Sequence, residues 1–404
     1  MPHPEAAGLS VARLQRLDRF VQEKYLETGR LPCAYTLIQR RGQIAHSSAL
    51  GYMDVERKRA LAEDAIFRIY SMTKPLTSVA MMMLVEEGLV ALDDPVHRYI
   101  PQWRDLAVYE GGFIGSYRTR RTSAPMRIVD LLRHTSGLTY GFQQRTNVDA
   151  AYRKLKLAER DGPVTLDGMI DGLAKTPLEF SPGTLWNYSV STDVLGYLIG
   201  KIAGESFENF LRTRILGPLR MVDTDFSVPP AKAARLAACY LVTPDGRMTL
   251  QDDPQVSPYL KAPAFVSGGG GLVSTVADYL QFCRMLLNGG SLDGVRILSP
   301  KTIELMTANH LPGGKELPDL SVSLFSESTY AGVGFGLGFA VTLNPARALI
   351  PGSVGDYSWG GLASTSFWID PREELIVIFM TQLIPSATYP IRRELRTLVY
   401  SAFE

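Results

Sequence analysis

The chain is predicted to fold as an α/β protein: an antiparallel sheet built from both chain ends and flanked by helices, with a large, mostly helical domain inserted between them. Three observations lead there. Strand patterns joined by short turns occupy residues 34–52 and recur from 332 to 383; amphipathic helical patterns flank both; and the stretch between them is helical pattern punctuated by Gly and Pro. At 404 residues the chain exceeds one ordinary domain. The expected division is a sheet domain of residues 1–90 and 325–404 and a helical domain of residues 91–324, with the active site in the cleft between them.

Taken in order, Leu14, Leu17, Phe20, Val21 and Tyr25 recur at helical spacing and predict a helix over residues 10–27. "AYTLIQ" and "IAHSSALGY" flank the turn "RRGQ", a hairpin signal that implies antiparallel pairing. "IYSMTKPLTSVAMMMLVEEG", residues 69–88, places Leu76, Val79, Ala80, Met83 and Leu84 on one face, while Met81 and Met82 carry apolarity round to the others. Such a helix is a buried one. Pro75 belongs in its first turn, where a missing N–H costs least, so it begins near Ser71, and Gly88 closes it. Leu195, Leu198, Ile199 and Ile202 define a further helix ending near Gly204; Tyr279, Phe282, Cys283, Leu286 and Leu287 define another ending near Gly289. "GVGFGLGF" alternates glycine with apolar residues at period two, which predicts a strand with one bare face. "YSWGGLASTSFWI", the turn "DPREE", "LIVIFMTQL" and a helix from about Tyr389 to Phe403 complete the chain.

Composition excludes several classes. A net charge of +1 gives no field for nucleic acid or an anionic membrane, and the densest basic stretch, "SYRTRRTSAPMR", reads as a solvated loop. No apolar run reaches the roughly 20 residues of a membrane span. Cys33, Cys239 and Cys283 are odd in number and set among apolar residues, which predicts reduced core thiols. Together with the lack of a secretory pattern at the N-terminus, this predicts a cytoplasmic protein. The five histidines show no zinc-site spacing, and "SGGGGLVST" lacks the ending of a phosphate loop, so neither metal nor cofactor is expected.

Chemistry is expected at the mouth of the buried helix. Ser71 and Lys74 lie three residues apart on one helix face, the spacing that a nucleophile and its base require. Burial and the positive helix terminus both disfavour an ammonium there, lowering its pKa toward one useful for accepting a proton. Taken alone, the pair reads more readily as a capping serine and a surface lysine, since such a string is expected about once by chance in a chain of this length.

The pair does not stand alone. "SMTK", "LLRHTSGL", "FSPGTLWNYSVSTDVLGYLIGKIAG", "GPLRMVDTDF", "GGGGLVSTVADYLQFCRMLLNGG" and "GFGLGF" follow in an order that resembles the serine β-lactamase and penicillin-binding-protein superfamily, over about residues 34–380. Within it the chain looks most like the class C β-lactamase-related esterases, the family VIII carboxylesterases. The resemblance implies a β-lactamase-like fold, with Ser71 as nucleophile, Lys74 as its base and Tyr188 as the catalytic tyrosine of the second motif. Tyr188 follows the Pro182–Gly183 turn and precedes a helix, so it belongs on a short loop facing a cleft. A lysine ammonium close to that phenol would favour the phenolate and couple the two titrations. "WGG", Trp359, Gly360 and Gly361, falls at the third motif. Glycines inside a strand mark a close approach to its backbone, for which a substrate carbonyl is the expected partner. By resemblance, the backbone N–H groups of Ser71 and Leu362 form the oxyanion hole.

Class C β-lactamases carry Tyr-x-Asn and Lys-Thr-Gly where this chain has Val190 and Trp359. The missing lysine and asparagine are groups that a β-lactam or a D-Ala terminus would use and a neutral acyl ester would not. The expectation is therefore a serine carboxylesterase acting on short-chain acyl esters through an acyl-enzyme on Ser71, without cofactor, with a small-molecule ester as substrate, no nucleic-acid or membrane partner, and the oligomeric state left open. A β-lactamase or D-Ala peptidase, an acyltransferase and a non-catalytic scaffold are the alternatives. Phe142 and Trp186, with Trp359, Gly360, Gly361 and Val190, are expected at the substrate pocket, beneath loops at 104–127 and 140–165. His134 beside Ser136 invites a Ser–His reading, but the superfamily does not use this histidine, and a structural role is expected. The Gly-x-Ser-x-Gly elbow of an α/β-hydrolase does not occur.

Overall fold

The computed structural model describes residues 2–323 and 330–404. Its largest element is an eight-stranded sheet made of β1 (Cys33–Arg40), β2 (Gln43–Asp54), β3 (Arg59–Ala60), β4 (Val333–Phe335), β5 (Ala340–Thr342), β6 (Tyr357–Gly360), β7 (Ser366–Asp370) and β8 (Leu375–Met380), in the order β4-β5-β6-β7-β8-β1-β2-β3. Every pairing is antiparallel. The central seam joins the two ends of the chain: β1 lies against β8 with Tyr35 opposite Met380 and Leu37 opposite Ile378. Every residue of β1 and β8 is buried. This is why "LIVIFM" reads as a continuous apolar run without alternation.

One face of the sheet is covered by helices from both termini, α1 (Val11–Val21) and the C-terminal Ile391–Tyr400, whose Leu14, Leu17, Leu395 and Val399 pack with Ile38, Trp368 and Val377. The other face carries α2 (Thr73–Glu86) and the helix Val276–Leu287, whose Tyr279 lies 5.1 Å from Phe367 between ring centroids. In α2 every residue from Thr73 to Leu84 is buried. Each buried Leu, Val or Met there contributes about 1.5–3 kcal/mol of transfer free energy, enough to hold a lysine in the same helix away from water.

Two expectations need correction. "GVGFGLGF" is not one strand: it folds back as the hairpin of β4 and β5, with Gly338 at φ 97°. A Cβ at Gly338 would overlap Ser78 of α2, so these glycines bring the hairpin onto the helix. The inserted residues include two further hairpins besides helices, Ala107–Phe113 with Ser116–Arg121 and Cys239–Val242 with Met248–Asp252. "SYRTRR" is thus an exposed strand and not a loop, turned at Gly115 with φ 88°; its arginines alternate with Tyr117 and Thr119, a pattern that a two-stranded ribbon tolerates. The domain boundary expected at 324/325 lies outside the described residues.

Candidate active site

The nucleophile turn leaves the short strand Phe67–Arg68 and enters α2 through a 3₁₀ turn, Tyr70–Met72. Tyr70 holds the left-handed region at φ 41°, which costs a residue with a side chain about 1–2 kcal/mol. The surroundings fix this turn. Ile69 donates its N–H to the Leu272 carbonyl at 3.1 Å, Leu272 donates to Thr73 Oγ1 at 3.2 Å, and the Tyr279 hydroxyl donates to the Met72 carbonyl at 2.9 Å.

One turn on, the Lys74 side chain is 2 % exposed. Its Nζ donates to Ser71 Oγ at 3.2 Å, to the Tyr140 hydroxyl at 3.0 Å and to the Gly269 carbonyl at 2.6 Å. Nζ also stands 4.4 Å from the centre of the Tyr188 ring, over its face. Burial pushes the Lys74 pKa down from 10.5 to about 7, with Asp193 pulling the other way. Tyr140 and Tyr188 are pushed well above the ordinary tyrosine value by the same burial; for Tyr188 the adjacent Ser71 and Trp359 side chains oppose the rise. Near neutral pH the phenols therefore stay protonated and the amine is the group free to accept a proton. In the resting site the anticipated Tyr188 phenolate is disfavoured, because burial raises that pKa and Lys74 Nζ stands over the face of the ring.

Tyr188 lies on the loop before the helix Ser191–Ala203, and its buried hydroxyl has no hydrogen-bond partner among the described residues. The same holds for Nε1 of Trp186 and of Trp359. Buried donors are normally paired. All three residues line one cavity of about 740 Å³, together with Ser71, Tyr140, Phe142, Gly269, Gly360, Gly361 and Leu362. Trp186 stacks on Tyr188 at an interplanar angle of 17°, Trp359 meets Phe335 edge-on at 5.3 Å, and Phe142, 56 % exposed at the rim, stacks on Tyr140 at 4.8 Å. The backbone N–H groups of Ser71 and Leu362 make no backbone hydrogen bond among the described residues.

The structure thus brings Ser71, Tyr188, Trp186, Trp359, Gly360, Gly361, Phe142 and Leu362 to one cavity, with Lys74 buried directly behind its Ser71 and Tyr140 walls. Val190 is not among them. It is 1 % exposed in the hydrophobic core, at the start of the Ser191–Ala203 helix, with its N–H on the Thr139 carbonyl; an apolar side chain there turns inward. The expected cover over the cleft also differs, since Tyr140, Phe142, Ala158 and Arg160 line the cavity whereas no residue of 104–127 does. The glycines of the third motif also face close neighbours within this chain. A Cβ on Gly361 would overlap the Ile69 carbonyl, and one on Gly360 would lie 2.6 Å from the Arg392 guanidinium. For Gly361 the close partner is this chain's own nucleophile turn, and for Gly360 it is Arg392 together with the Thr365 carbonyl. His134 is buried against Trp186, Tyr188 and Phe335, with its pKa held well below the ordinary value by burial.

Three contributors escaped sequence reasoning. Tyr140 sits in "GLTYGF", where no spacing relates it to Lys74, and Gly269 acts through its carbonyl. Asp193 carried one legible signal: a lone acid inside the apolar run "VSTDVLGYLIG", on a helix buried from Ser191 to Gly196.

The likeness to known proteins runs along nearly the whole chain. The Beta-lactamase family model matches residues 17–400. Protein Rv1367c of Mycobacterium tuberculosis is 36% identical over 362 residues, covering 89% of this chain and 88% of its own. Esterase EstB of Burkholderia gladioli is 30% identical over 420 residues, with 98% of each chain covered. Among solved structures, EstCE1, a hydrolase with promiscuous acyltransferase activity, superimposes with a TM-score of 0.80 at 28% identity, over 96% of this chain and 99% of its own. The chain belongs to the Beta-lactamase family, within the superfamily of serine β-lactamases and penicillin-binding proteins.

Proposed function

We propose that the protein is a serine carboxylesterase that hydrolyses esters through an acyl-enzyme on Ser71. The observation that carries this reading is a fully buried lysine amine, titrating near neutrality, 3.2 Å from the Ser71 hydroxyl at the wall of an apolar cavity. In the forward step Lys74 Nζ accepts the Ser71 proton while Oγ attacks the ester carbonyl. The N–H groups of Ser71 and Leu362 receive the developing oxyanion. Tyr188, neutral and with its hydroxyl beside the Ser71 and Trp359 side chains, gives its proton to the departing alkoxide, and the proton that Lys74 took from Ser71 returns to the transient phenolate. Water then repeats the sequence on the acyl-enzyme. Trp359 puts an indole where the third-motif lysine of a lactamase would stand, and the neighbouring Arg392 guanidinium donates to the Gly361 and Thr365 carbonyls, which favours a neutral ester over a β-lactam.

The test is turnover of p-nitrophenyl butyrate and of a chromogenic cephalosporin by the native protein and by Ser71→Ala. Ester hydrolysis that disappears in Ser71→Ala, with the cephalosporin slow, is expected. Preference for the cephalosporin would make the protein a lactamase, and turnover independent of Ser71 would overturn the mechanism. A second reading has its own observation. A cavity of about 740 Å³ lies in the range that holds drug-sized ligands, leaving room beside a short acyl group for an alcohol acceptor. EstCE1 combines both activities. Acyl transfer to an added alcohol, measured as the ratio of new ester to free acid, decides how the acyl-enzyme partitions.

A further inference from the structure

Among the described residues Lys74 has no carboxylate in direct contact, yet one stands close behind it. Asp193, in the first turn of the Ser191–Ala203 helix, is 1 % exposed. Its Oδ1 accepts from Ser267 Oγ at 2.5 Å and from the Gly269 N–H at 2.9 Å, while Oδ2 has no hydrogen-bond partner among the described residues. The same Gly269 residue offers its carbonyl to Lys74 Nζ at 2.6 Å, so its N–H is held by the acid and its C=O receives the base. A Cβ on Gly269 would lie 2.7 Å from Asp193 Oδ2 and 2.9 Å from the Tyr140 hydroxyl. The carboxylate, the Gly269 backbone and the Lys74 partner Tyr140 therefore crowd about a single point, and only glycine fits between them.

The other titratable groups facing Lys74 are Tyr140 and Tyr188, held as neutral phenols, and His134, held as neutral imidazole, each by burial. Among the described residues Asp193 is the group left to carry a negative charge there; burial raises its pKa above the ordinary carboxylate value, and Lys74, Ser267 and the Gly269 N–H oppose that rise by favouring the ionised form. A buried carboxylate near an ammonium favours the ammonium.

We propose that Asp193 is a positioning residue of this site: it fixes the Gly269 peptide that receives Lys74, and it supplies the negative charge that sets the pH at which Lys74 can take the Ser71 proton. It touches no reacting atom. Its contribution is that Lys74 is unprotonated often enough to act, yet remains a strong enough base to accept a proton in the transition state. The inference rests on the esterase reading for its kinetic test and on geometry alone for its second test.

For the kinetic test, the pH dependence of kcat/KM for p-nitrophenyl butyrate is compared among native protein, Asp193→Asn and Asp193→Glu. Native activity should rise with pH as Lys74 loses its proton, with a midpoint at about 7. Asp193→Asn keeps acceptors for Ser267 and Gly269 but removes the charge, so this rise should move to lower pH by roughly one unit or more, with a lower plateau. Asp193→Glu should return the midpoint toward the native one. A lower plateau with an unmoved midpoint would mean that Asp193 only holds structure, and overturns the charge role. The second test uses native protein labelled with ¹³Cε-lysine, the Lys74 signal being assigned by its loss in Lys74→Met. A main inflection near neutrality with a smaller one at lower pH, as Asp193 takes a proton, is expected; a single inflection overturns the proposal. Absence of ester turnover by the native protein would count against the esterase reading and leave this titration to judge Asp193.

Discussion

Replacing Lys74 with methionine should make the protein inactive and more stable, and the size of the gain follows from its titration. An unfolded lysine keeps its ordinary pKa of 10.5, whereas the folded one falls to about 7. Between these values the unfolded chain binds the extra proton, so native stability rises with pH across that window and is lowest below it. The disadvantage is about 5 kcal/mol well below pH 7, about 4 kcal/mol at pH 7 and about 1 kcal/mol at pH 10. Methionine fills a similar volume without a charge, but it leaves the Gly269 carbonyl without its donor, which costs about 1–3 kcal/mol. The net gain for Lys74→Met is then about 1–3 kcal/mol at pH 7 and vanishes or reverses at pH 10. Urea midpoints followed by tryptophan fluorescence at both pH values, at matched slopes, measure it. A variant no more stable than native at pH 7, or one whose advantage is the same at pH 10, would refute the argument that burial sets the pKa of this lysine.

Two further outcomes are expected. Tyr188→Phe, which removes the proton donor, should lower kcat for p-nitrophenyl butyrate by about 10²–10⁴-fold, whereas Tyr140→Phe removes one of the three acceptors around Lys74 and should cost about tenfold or less; equal losses would make Tyr140 the proton carrier. Gly361→Ala, whose new methyl meets the Ile69 carbonyl, should destabilise the protein by about 1–3 kcal/mol and reduce activity through the displaced nucleophile turn; circular dichroism melts and ester turnover check both, and a fully active variant would show that β6 need not lie so close.

The antiparallel sheet from both chain ends was legible because its strands carry their pattern locally: "LIVIFM" is apolar throughout, "AYTLIQ" is apolar but for Thr36 and Gln39, and each lies beside a turn. The nucleophile and its base were legible because both lie in one helical turn. What escaped depends on contacts between distant segments. Tyr140 reaches Lys74 across 66 residues of chain and Gly269 across 195. Val190 was misplaced for the converse reason: position within a motif says where the backbone runs, while the core on one side of it decided which way an apolar side chain faces. The exposed hairpin at 107–121 was read as loop because charge dominates its composition and a two-stranded ribbon buries little to betray itself.

The pairing of β1 with β8 has a consequence for biogenesis. β1 lies in the first forty residues, and its partner on one side, β8, is more than three hundred residues further on. At about 5–20 residues synthesised per second, β1 waits roughly 20–70 s on the ribosome with that edge unpaired, able to form only its hairpin with β2. The same interval is a safeguard. Gly361 cannot seat against the Ile69 turn until late in translation, so a nascent or truncated chain carries the reactive serine without the wall that would let it work.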